Sequence, residues 1–154
     1  MKYVDTKIVF SEVPKEVTLA INISNCPYKC IDCHSSYLQE NIGNELTVEA
    51  FDNLINSNKG ITCVCIMGGD SEPIEVDNIA YYIKDTYNLK VAWYSGNKEL
   101  SNKINLKNFD FIKIGPYIEE CGPLNNKNTN QIMYAVQHIN NKYVLKDITD
   151  TFWK

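Results

Sequence analysis

The sequence predicts an α/β protein: a partial, open (β/α) barrel with parallel core strands and a C-terminal β-hairpin. Three observations lead there. β-rich runs alternate with helical stripes through the middle of the chain, the pattern of a parallel sheet with crossover helices. The last two strand signals meet at Asn140-Asn141, residues that tolerate positive φ and so close tight hairpins. The chain has 154 residues. That is enough for one core and too few for a closed eight-fold barrel, which takes about 250. A single domain over residues 1–154 is expected.

The elements follow in order. Residues 7–10 read as a short edge strand and 11–16 (SEVPKE) as a turn. Residues 17–24 (VTLAINIS) alternate apolar and polar and are rich in β-formers, so they read as a strand. Thr47 is placed to cap a helix whose Val48, Phe51, Leu54 and Ile55 share one face. Asn58-Lys59-Gly60 ends that helix. Residues 61–67 (ITCVCIM) are almost unbroken apolar, as expected of a strand covered on both faces. Pro73 opens a second helix at a position that tolerates Pro, and Val76, Ile79, Ala80 and Ile83 form its stripe.

Residues 90–94 (KVAWY) predict the next strand, and 98–103 a short helix. Residues 109–114 (FDFIKI) predict a strand stopped by Gly115-Pro116. Residues 132–138 and 142–148 form the hairpin, with 129–131 as a competing helix cap. Residues 125–130 make an Asn-rich loop.

Charge and composition narrow the function. Net charge is −4 and the 15 basic residues are all Lys. Nucleic-acid binding is disfavoured, because it needs clustered cations and profits from the Arg fork. No run approaches the ~20 apolar residues of a membrane span. Charges interrupt the first residues too often for a signal or transit peptide. A cytoplasmic protein is expected. There, six cysteines argue for metal binding or redox chemistry rather than a disulfide framework.

Cys26, Cys30 and Cys33 crowd into CPYKCIDC, directly after the first core strand. Three thiolates so close can converge on one metal centre at little loop-closure cost. A cluster of four irons held by three cysteines keeps one iron open, the mark of a catalytic site by analogy with zinc. The same spacing also traces one face of a helix, and Cys26, Cys30, Cys33 and His34 could form a zinc site. Pro27, Lys29 and Asp32 disfavour a buried helix. The adjacency of Cys33 and His34 disfavours tetrahedral chelation by both.

Gly68-Gly69-Asp70 follows the second core strand, Ser95-Gly96 the third and Gly115-Pro116-Tyr117 the fourth. All four clusters fall at strand C-terminal ends, where α/β sheets and barrels build their sites. The paired glycines permit close approach of a ligand, and their carbonyls with Asp70 suit an ammonium group. Cys63 and Cys65 share one strand face and read, with Cys121, as structural. His138 reads as a surface residue of the hairpin. Lys113, Tyr117, Asn130 and Gln131 either face a substrate or shape a loop.

With Cys26-x3-Cys30-x2-Cys33 followed by Met67-Gly68-Gly69-Asp70, the chain resembles the radical S-adenosylmethionine enzymes. Within them it is similar to the activating proteins of anaerobic ribonucleoside-triphosphate reductase. The likeness runs through NISNCPYKCIDCHSSYLQ, ITCVCIMGGD, WYSG, FDFIKIGPY, TNQ and DITDTFWK. It implies that Cys26, Cys30 and Cys33 ligate a [4Fe-4S] cluster whose fourth iron binds the amino and carboxylate groups of S-adenosylmethionine. Gly68, Gly69 and Asp70 match the family's Gly-Gly-Glu segment, which holds the methionine amino group, with the shorter acid here. Ser95 falls where a polar residue contacts the methionyl or ribose part. Asp32 stands where the family often has an aromatic residue over the adenine, so that contact would fall to backbone or to His34.

The implied activity is reductive cleavage of S-adenosylmethionine and removal of a hydrogen from a glycine of the reductase large subunit, a glycyl-radical protein. A low-potential donor such as flavodoxin or ferredoxin would supply the electron. Two alternatives stay open. One is activation of another glycyl-radical enzyme or a small-molecule radical reaction. The other is a non-catalytic iron–sulfur electron-transfer or metal-binding module.

Overall fold

The computed structural model describes residues 1–24 and 40–153. Among the described residues, eight strands form one open sheet: β1 (Lys2–Val9), β2 (Thr18–Ile23), β3 (Asn44–Glu45), β4 (Cys63–Met67), β5 (Lys90–Tyr94), β6 (Phe111–Ile114), β7 (Ile132–Ile139) and β8 (Lys142–Asp147). Their order is β3-β1-β2-β4-β5-β6-β7-β8. The four central strands β2, β4, β5 and β6 are parallel; β1 and β3 on one side, and β7 and β8 on the other, are antiparallel. The fold is mixed α/β, with the parallel core and terminal hairpin that the sequence predicts.

Helix α1 (Val48–Ser57) begins where Thr47 accepts a hydrogen bond from the Ala50 amide at 3.1 Å, which satisfies one orphan donor of the first turn. Helix α2 (Pro73–Thr86) opens on Pro73, whose missing N–H costs nothing there. Phe51 and Ile55 of α1 and Val76, Ala80 and Ile83 of α2 pack with Leu19, Ile21, Val64, Ile66, Val91 and Trp93. Both helices therefore cover one face. Successive parallel strands are added in one direction, and crossovers of one hand then fall on one side.

Strand alternation sends the other residues to the opposite face. There Cys63, Cys65 and Ala92 close around Val13, with Met67, Tyr94 and Phe111 packed against them. The 11–16 turn thus supplies a plug, Val13, that is fully buried. Helix-side and plug-side packing together bury Cys63–Ile66 completely, as the apolar run predicts.

Three local expectations are corrected. Residues 98–103 form no helix. Asn97 and Ser101 instead accept hydrogen bonds from the amides of Glu99 and Lys103, two residues on, and such side-chain turns compete with helix formation. The one helical turn in this connection is a 3₁₀ turn at Leu106–Asn108. Residues 129–131 cap no helix: the Thr129 hydroxyl accepts from the Gln131 amide at 3.0 Å and leads into β7. The first strand is longer than residues 7–10, and β3 pairs with its Lys2–Tyr3 end. Its charged residues had masked it, yet a strand with one solvated face accepts them.

At the hairpin, Asn140 (φ 51) and Asn141 (φ 63) both have positive φ, the requirement of a two-residue type I′ turn. His138 is exposed and stacks on Tyr143 at 4.4 Å, so it is the surface residue the sequence predicts.

Candidate functional site at the C-terminal edge of the sheet

The parallel strands end together. Asn22 pairs with Met67, Met67 with Tyr94 and Tyr94 with Lys113. The segments that follow β4, β5 and β6 therefore meet at one edge. Gly68 and Gly69 both take positive φ (106° and 86°) and reverse the chain between β4 and α2. A Cβ on Gly68 would lie 3.2 Å from the Ile23 carbonyl oxygen; on Gly69 it would lie 2.6 Å from Val76 Cγ2. The first contact brings this turn against the end of β2. The second seats it on the first turn of α2.

Asp70 joins two strand ends. Its carboxylate accepts from the Ser95 hydroxyl and, at 2.9 Å, from the Gly96 amide. Ser95 is 2% exposed, and its oxygen also accepts from the Asn97 amide at 3.1 Å. The Trp93 indole donates to the Gly68 carbonyl at 2.7 Å, and Glu72 N–H to the Gly69 carbonyl at 2.9 Å. Each glycine carbonyl thus already holds one donor. A carboxylate offers about four acceptor positions, so Asp70 retains capacity after Ser95 and Gly96. Each glycine carbonyl likewise has a second lone pair beside its one donor.

Cys26, Cys30, Cys33, Asp32 and His34 lie outside the described residues. Their flanks are placed. Ile23 ends β2 beside the Gly68 turn, and the hydroxyl of the next residue, Ser24, donates to the Ile42 carbonyl at 2.5 Å, so both flanks meet at this edge. Among the described residues no group of three or more His, Cys, Asp or Glu is placed to hold a metal. No helix is long and apolar enough to cross a membrane.

Cys63 and Cys65 serve packing. Burial pushes the Cys63 thiol up from 9.0 to about 12, and pushes Cys65 well up as well. The unfolded chain loses these protons near 9.0, whereas folded Cys63 keeps its proton to about 12. The folded state then binds more protons, and its stability falls as pH rises from about 9 towards 12. Alkaline titration of Tm is expected to show that loss, reduced in Cys63→Ala relative to the parent's own neutral value. At neutral pH, maleimide labelling followed by mass spectrometry is expected to mark half-buried Cys121 before Cys63 or Cys65.

The sequence reasoning left Lys113 and Tyr94 without a role. Lys113 is 7% exposed; its ammonium donates to the Gly115 carbonyl at 3.1 Å and lies 5.3 Å from the Tyr94 ring centroid. The Tyr94 hydroxyl donates to the Glu12 carbonyl, and burial raises its pKa well above the usual value. Both side chains stand on the face opposite the helices. Strand alternation alone could have placed them there.

Comparison with protein-family models, with curated proteins and with solved structures returned no match.

Proposed function

We propose that this chain is a radical S-adenosylmethionine enzyme that activates a glycyl-radical protein, the anaerobic ribonucleotide reductase large subunit. One observation carries the reading beyond the motifs. Asp70 and Ser95, named from sequence, are hydrogen-bonded at the strand edge that also holds both flanks of the cysteine segment. Sequence spacing alone does not require that meeting.

The residues present fit the cofactors. Cys26, Cys30 and Cys33 would hold a [4Fe-4S] cluster by their thiolates. The spare acceptor positions of Asp70 suit the ammonium of S-adenosylmethionine, and the absent Cβ atoms of Gly68 and Gly69 let the turn sit tightly at the edge. When bound, these groups supply one-electron reductive cleavage of a C–S bond. The chain's part is placement: Ser95 and the Gly96 amide fix the carboxylate, Trp93 fixes the Gly68 carbonyl, and the packed sheet keeps both rigid. In this reading the one-sided helices make the sheet a partial barrel, and the face opposite them is its interior. The protein is cytoplasmic, and flavodoxin or ferredoxin is its donor.

The test is anaerobic cluster reconstitution, reduction, addition of S-adenosylmethionine and measurement of 5′-deoxyadenosine. Product is expected from the parent chain and none from Cys30→Ser. A loaded, reducible cluster that yields no product, even with a candidate reductase present, would replace this reading with an electron-transfer module.

A further inference from the structure

We draw no further inference here: the strongest candidate, the buried Asn130 Oδ1, which has no hydrogen-bond partner among the described residues where the Asn130 carboxamide links the segment after β6 to the start of β7, belongs to the sheet edge already described, and nothing in the structure shows which donor it faces.

Discussion

Asp70→Ala is expected to lower 5′-deoxyadenosine formation by about 10²-fold or more, the order of loss seen when reacting groups are misplaced by about 1 Å. It leaves the buried Ser95 hydroxyl and the Gly96 amide without their acceptor, at a cost of about 1–3 kcal/mol. Asp70→Asn separates charge from geometry. Its oxygen can accept from Gly96 while its NH₂ donates to Ser95, whose oxygen has a second lone pair beside the one facing Asn97. Tm is then expected to fall less than in Asp70→Ala, since the Gly96 amide keeps its acceptor and only the Ser95 hydroxyl proton loses one, while product formation falls because the attraction for an ammonium is gone. Deoxyadenosine assays and thermal melts on both variants check this. Full activity in Asp70→Asn would remove the carboxylate from the proposed binding role.

Gly69→Ala is expected to destabilise the fold by about 2–4 kcal/mol. Two costs combine: the left-handed backbone, about 1 kcal/mol, and overpacking, about 1–3 kcal/mol. The new Cβ would stand 2.6 Å from Val76 Cγ2 and 3.1 Å from Met1 Sδ, with φ at 86°. Gly60 provides the control. Its φ is 91° and nothing lies within 4 Å of a Cβ built there. Gly60→Ala therefore carries the backbone cost alone, about 1 kcal/mol. Urea unfolding of both variants measures the difference. Equal losses would mean that the Gly69 turn moves away from α2 at no cost, and the rigid edge inferred here would not hold.

These predictions concern residues whose type was legible in the sequence and whose geometry was not. Gly-Gly after an apolar run reads as a strand end, since few other residues reverse the chain there. That Gly69 presses on Val76 required the placement of α2. Asp70 and Ser95 were legible separately, each after its own strand; the parallel pairing of Met67 with Tyr94 brings them together. The residues 98–103 misled because their composition permits a helix, and the competing side-chain turns at Asn97 and Ser101 decide between two local states of similar energy.

The sequence by itself determined the secondary structure of the core. The apolar run of β4, the stripes of α1 and α2, the Thr47 cap, Pro73 and the Asn140-Asn141 turn all act through neighbours a few residues away. Tertiary structure alone decided what faces what: Val13 seated on Cys63 and Cys65, Lys113 against Tyr94, and the Asp70–Ser95 link. These contacts join residues far apart in the chain. Their partners are fixed by strand order and register, which one-dimensional periodicity does not carry.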